Sequence, residues 1–267
     1  MEPHIIFEDD DLLVINKPAG MIVNRADTTK DEVTLQEWVE TRTAVIPASE
    51  PESTKGDPDF HQDDKGEIGR IDTYNAEEVF GSRAGIVHRL DKETSGVILV
   101  AKNVEAFVNL QAQFKGRLTE KTYLALVHGL VEPEEGEINA PVGRLPWNRM
   151  RFGVLADGRE AVTKYKILRY YDTKILGNEK LSLVELYPKT GRTHQIRVHL
   201  KHINHPIFGD LLYAGRKTSR DDRLHLPRVF LHASKISFTH PKSAERMTME
   251  APLASELQAF LETLLKK

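Results

Sequence analysis

Apolar and polar positions alternate in two rhythms along this chain, one with the period of a strand and one with the period of a helix. "HIIFEDDDLLVINKPAG" reads as two short strands around an acidic turn, ended by Pro18 and Gly20. "TLQEWVETR" predicts a short helix, with Leu35, Trp38 and Val39 on one face and Thr34 as its cap. In "HRLDKETSGVILVAK" a charged run with a glycine feeds into "VILVA", whose unbroken apolar character suits a strand buried on both faces. "NVEAFVNLQAQFKG" returns to helical spacing through Phe107, Leu110 and Phe114, with Asn103 as cap.

Further strands are predicted at "KTYLALVHG", "AVTKYKILRYY", "LSLVELYP", "FLHASKISF" and "RMTMEAPL". "GRTHQIRVHLKHI" is a helix, because Ile196, Leu200 and Ile203 recur at i, i+4 and i+7, with Thr193 as a candidate cap. The chain closes on an amphipathic helix through Leu257, Phe260, Leu261 and Leu264. Residues 46–83 are rich in Pro, Ser, Asp, Glu and Gly and poor in periodic apolar positions, so they read as a long acidic loop or insertion. Many strands with few helices between them do not make a βαβ alternation. The expected architecture is α+β: one catalytic domain over 1–267, with a large mixed, mainly antiparallel sheet flanked by a few helices and loops.

Composition bounds the chemistry. The 267 residues can bury a sizeable core, and 40% hydrophobic with 29% charged residues is ordinary for a globular protein. The absence of cysteine excludes a disulfide scaffold, a thiolate zinc site and a cysteine nucleophile. "MEPHIIFEDDD" lacks the apolar run of a secretory signal, and no stretch approaches a membrane span, so the cytoplasm is expected. The net charge of −3 hides an uneven distribution. Residues 44–80 carry ten acids against three bases, whereas residues 192–246 carry eleven Lys/Arg against four Asp/Glu and seven of the eleven histidines. A basic face beside an acidic appendage follows, or else a solvated surface with an acidic loop.

Three stretches could carry chemistry. Asp91 lies between Arg89 and Lys92 at the mouth of the buried strand. There it is either an ionised nucleophile or base facing a cleft, or half of an Arg–Asp pair that fixes a turn. Tyr123 is either part of the sheet or a platform beneath a flat ligand. Arg192, at the entry to the "GRTHQIRVH" helix, is either solvated or a clamp for a carboxylate or phosphate. Arg197, Lys201 and His202 extend the basic character of that helix. His199, His202 and His205 recur every three residues, but no H-E-x-x-H and no paired carboxylate supports a metal site. Neither a Gly-rich phosphate loop nor a G-x-S-x-G elbow is present.

Taken in order, "LLVINKPAGMIV", "GIVHRLDKETSGVILVAKN", "KTYLALVHG", "PKTGRTHQIRVHLKHINHPIFGDLLYAG" and "LHASKISFTHP" resemble the RluA-type pseudouridine synthases, from about Ile5 to about Leu253. The histidine of "HRLD" favours that branch over the RsuA branch, where glycine is usual. The resemblance implies a cleft across the central sheet and isomerisation of uridine in ribosomal or transfer RNA, with no cofactor and no metal. It implies Asp91 as the catalytic carboxylate, Tyr123 stacking on the flipped base, and Arg192 pairing with the aspartate. Arg89 would fill the gap in the RNA, and His88, Arg197 and Lys201 join it as expected RNA contacts. A monomer is expected. Two departures from the pattern bear on how RNA is gripped: no S4-like domain is expected before residue 5, and segment 46–83 is long.

Overall fold

The computed structural model describes residues 2–25, 32–42, 73–173 and 179–265. Strands β1 (His4–Glu8) and β2 (Leu12–Lys17) form a hairpin whose turn is held by Asp9, which accepts the backbone N–H groups of Asp11 and Leu12. Helix α1 (Leu35–Arg42) opens on a capping box: Thr34 Oγ1 accepts from Glu37 N–H, and the Glu37 carboxylate accepts from Thr34 N–H. Helix α3 (Val104–Lys115) is capped by Asn103, as its sequence predicts. Helix α2 (Thr73–Ser82) corrects the reading of 46–83 as one loop. Phe80 meets Phe107 edge-on at 5.7 Å between ring centroids, and Val79 packs on the same core, so two apolar anchors within the acidic run are enough to seat a helix. Residues 46–72 lie outside the described residues.

Between α2 and α3 runs β3 (Ser95–Ala101), buried along all seven positions. Its two faces explain the unbroken apolar run. Val97, Leu99 and Ala101 pack with Phe107 and Leu110 of α3, while Ile98 and Val100 pack with Leu35 and Val39 of α1. Each large aliphatic side chain among them contributes about 1.5–3 kcal/mol on burial.

Strands β4 (Glu120–His128), β5 (Glu135–Asn139), β8 (Val162–Thr173), β9 (Glu179–Pro188), β10 (Leu231–Thr239) and β11 (Arg246–Glu250) complete a nine-stranded sheet. Its order is β1-β2-β3-β10-β4-β9-β8-β5, with β11 also on β10. The β3–β10 pair is parallel and the other pairings are antiparallel. The mixed, mainly antiparallel sheet expected from the sequence is therefore present.

A separate hairpin, β6 (Val142–Leu145) and β7 (Asn148–Val154), leaves the sheet after β5. Helix α4 (Gln195–His202) packs Ile196 and Leu200 into the core shared by β4 and β9. The short α5 (Arg216–Asp222) follows, and α6 (Ser255–Leu265) lays Leu257, Phe260, Leu261 and Leu264 on the same core. Among the described residues no helix is long and apolar enough to cross a membrane.

Candidate active site

Asp91 sits in a turn four residues before β3, and that turn is tied down from three directions. Within it, Thr94 N–H donates to the Asp91 carbonyl. From β2, the fully buried Lys17 donates Nζ to the carbonyls of Pro18, Met21 and Lys92, at 2.9, 2.9 and 3.2 Å, while Gly20 N–H also reaches the Lys92 carbonyl. From beyond α5, Arg223 grips both carboxylate oxygens of Glu93, at 2.9 and 2.6 Å. Burial and the Arg228 charge hold the Lys17 ammonium well below its usual range, at about 7, against the pull of Asp91.

The turn enters β3 through Gly96. Its φ of +119° and its register with Ala233 of β10 leave no room for a side chain: a Cβ there would lie 2.1 Å from the Ala233 carbonyl oxygen. The backbone of β3 is thereby pressed against β10, and the carboxylate of Asp91 is aimed from a rigid floor.

The guanidinium that meets Asp91 belongs to Arg197. Its Nη1 donates to Asp91 Oδ2 at 3.0 Å, while Nε and Nη2 donate to the two oxygens of Asp210 at 2.7 and 2.9 Å. Asp210 is fully buried and also accepts the N–H groups of Leu212 and Tyr213. Arg192 does not hold the position expected of it. It lies in the turn before α4, donating Nε to the Glu160 carbonyl and its backbone N–H to Gln195.

The reason is local. The α4 N-cap is His194, in left-handed conformation at φ 54°, not Thr193, and no side chain caps it. The chain therefore turns sharply after Arg192 and delivers residue 197, within the first turn of the helix, to the carboxylate. Arg197, expected among the RNA contacts, is spent on two carboxylates.

Burial alone would raise the Asp91 carboxyl. The surrounding charges of His194, Arg197 and Arg89 outweigh it and hold the group below the ordinary carboxylate range. Burial also keeps the His194 ring below the usual histidine range, so at neutral pH the permanent cations beside Asp91 are Arg197 and Arg89. Tyr123, half-buried on β4 between Ala233 of β10 and Leu186 of β9, is the neighbouring aromatic. Burial raises its phenol well above the ordinary value, and the Asp91 charge adds to that shift, so Tyr123 is neutral and close to the carboxylate.

The remaining candidates divide. Arg89 is exposed and acts electrostatically on Asp91. Lys201 is exposed on the last turn of α4. His88 turns inward instead. Its Nε2 accepts the backbone N–H of Leu99, its ring lies 4.8 Å from that of Phe114, and burial pushes it down to about 3. It is a neutral brace under β3, not a cation for RNA. The spaced histidines of α4 and of the turn after it do not converge. His199 bonds Thr163 and the Ala140 carbonyl, and His205 bonds the His128 carbonyl.

Sequence reading missed Lys17, His194, Asp210 and Tyr213. Only Lys17 left a signal, a lysine closing a strand that opens with four consecutive apolar residues.

The fold agrees with that of known proteins. Two human structures, RNA Pseudouridylate Synthase Domain Containing 1 and 4, match 100% and 97% of the chain, and 96% and 92% of their own, with TM-scores of 0.64 and 0.63 at 23% and 22% identity, a likeness of fold. In sequence, the ribosomal large subunit pseudouridine synthase D of Nitrosomonas europaea is 35% identical over 97% of the chain and 64% of its own length. The uncharacterized RNA pseudouridine synthase YlyB of Bacillus subtilis is 35% identical over 100% of the chain and 74% of its own length. An uncharacterized RNA pseudouridine synthase of Chloroflexus aurantiacus is 44% identical over 68% of the chain, which spans only about half of that relative, 54%. The family described as RNA pseudouridylate synthase matches residues 11–202, from the start of β2 to the end of α4, the interval that holds Asp91, Tyr123 and Arg197. With that match and relatives running its whole length, the chain belongs to the RNA pseudouridylate synthase family.

Proposed function

We propose that this protein isomerises uridine in RNA to pseudouridine, with Asp91 as the catalytic carboxylate, Arg197 as the cation that orients it and Tyr123 as the platform for the base. The observation that carries this reading is the Asp91–Arg197 pair on a rigid turn beside Tyr123. The reaction breaks the N1–C1′ bond, turns the uracil, and forms C5–C1′. The C5 proton is lost and N1 gains one, so the atoms balance without an added reagent.

An ionised carboxylate at the sugar meets the first need. Extruding the base costs a few kcal/mol, which stacking on an aromatic ring, worth roughly 1–3 kcal/mol, offsets in part. Large-subunit ribosomal RNA is the substrate we favour, because relatives across the chain carry that name. That substrate would put the protein in the cytoplasm.

The test uses unmodified large-subunit ribosomal RNA transcribed with [5-³H]uridine. Release of tritium to water, with pseudouridine in the digested RNA, is the expected result. Free uracil without pseudouridine would mean a nucleosidase, and RNA binding without either product would mean a non-catalytic binder.

A further inference from the structure

The β6–β7 hairpin forms a sheet of its own, yet it is joined to the residues around Asp91. Its base, Val142 and Val154, packs with Val198 of α4 and with Tyr213. The Tyr213 hydroxyl accepts the N–H of Phe152 at 3.1 Å and bonds His194 Nδ1 at 2.9 Å, and its ring faces the Arg197 guanidinium at 5.0 Å. From the Arg144–Phe152 pair the β6 side runs three residues to Trp147, about 10 Å at strand rise, and an irregularity on the β7 side takes up the residues between Asn148 and Phe152.

At that tip the pair Leu145–Asn148 brackets Pro146 and Trp147. Trp147 is 77% exposed and Met150 76%. Single exposed apolar side chains are ordinary in proteins. Two that large, three residues apart at the end of a firmly seated hairpin, mark an interaction surface. The charge around them says which ligand. The hairpin itself, residues 142–154, holds three arginines, at 144, 149 and 151, and no acid.

Resting on the proposed function, we infer that the β6–β7 hairpin is a clamp for the substrate strand: Trp147 stacks on an unpaired base near the target uridine while the arginines around it attract the adjoining phosphates. Stacking on an indole tolerates any base and gives grip without readout, whereas phosphate attraction makes the grip salt-dependent. An acidic protein surface would attract the arginines but would offer no flat face to Trp147.

The chain has two tryptophans, and Trp38 packs beside the β2–β3 core, so Trp38→Phe leaves Trp147 as the sole reporter. That variant is titrated with unmodified large-subunit ribosomal RNA transcript, with filter binding in parallel. Quenching of the tryptophan emission along the binding curve is expected. In the otherwise intact protein, Trp147→Ala should raise KM for the transcript roughly 5- to 100-fold, with kcat within a few-fold and melting unchanged, whereas Trp147→Phe should stay near wild type.

Constant emission at saturating RNA, or an alanine variant with wild-type KM, overturns the clamp. If tritium release by the wild type is intact in that case, the synthase reading stands and the clamp alone falls. A wild type that neither binds nor modifies the transcript removes both.

Discussion

Arg197 holds Asp91 with one nitrogen and Asp210 with two, so a single planar guanidinium fixes the direction of the Asp91 carboxylate against a buried anchor. An ammonium on a flexible stem cannot make three directed bonds in one plane. Arg197→Lys should therefore fold and bind RNA but lose roughly 100-fold or more in single-turnover tritium release, the scale of a misplaced reacting group. Arg192→Lys, whose contact is to the Glu160 carbonyl, should stay within a few-fold of wild type. The opposite ranking of these two variants would overthrow the assignment of partners.

Asp91→Asn tests the carboxylate itself. The amide is nearly isosteric and still accepts from Arg197, so the turn held by Lys17, Gly20 and Arg223 should persist. The melting temperature should be near or above that of the wild type, because a carboxylate poised for reaction often costs stability. RNA affinity should be retained, since phosphate contacts elsewhere supply most of it. No pseudouridine should form. If Asp91 only fixed a turn, the variant would melt lower and keep its turnover per folded molecule.

Gly96 makes a sharper structural prediction. Its φ of +119° and the Ala233 carbonyl 2.1 Å from an ideal Cβ mean that Gly96→Ala must push β3 away from β10 or strain the backbone. A loss of about 3 kcal/mol or more is expected, beyond what positive φ alone costs. Because β3 anchors the Asp91 turn, activity per folded molecule should fall as well. Denaturant unfolding and tritium release on the same preparation check both.

How much of this was legible in the chain follows from which interactions are local. The two faces of β3 are written in consecutive residues, and Thr34 and Asn103 cap their helices within three positions, so sequence reading found them. The place of Asp91, in a turn ahead of a strand buried on both faces, was also legible. Its partner was not. Arg192 and Arg197 are both plausible from the helix sequence, and the choice depends on a left-handed residue at His194 and on Asp210, whose role exists only after the chain has folded back. Helix α2 was hidden for a different reason: its neighbours set an acidic, aperiodic context, and Phe80 finds its packing partner on another helix. Strand β5 and the β6–β7 hairpin are short and lack strict alternation, so their sequence gives no strand signal.

His128 gives a prediction that turns on pH alone. It lies at the end of β4, at the far end of that strand from Tyr123, bonded through Nδ1 to Glu179 at 2.6 Å and through Nε2 to Asp222 at 3.0 Å. Burial disfavours the imidazolium, but the two carboxylates outweigh it and push the ring up to about 9. A group whose pKa is raised on folding contributes stability that is fully present below its unfolded value, about 6.5, and lost as the pH rises through its folded value. The full shift corresponds to about 3 kcal/mol. Glu179 is more than a third exposed, so solvent screening reduces the expectation to about 1–2 kcal/mol.

Lys17 works in the opposite sense, because its lowered value makes the fold gain stability above pH 7. A wild-type melting curve therefore mixes the two. Subtracting the curve of His128→Gln, which leaves Lys17 untouched, isolates the histidine. The wild type should melt higher than the variant at pH 6 by roughly 2–8 °C for a chain of this size. That gap should close between pH 6.5 and about 9.5. A gap that stays constant across this range would show that His128 is neutral in the folded protein.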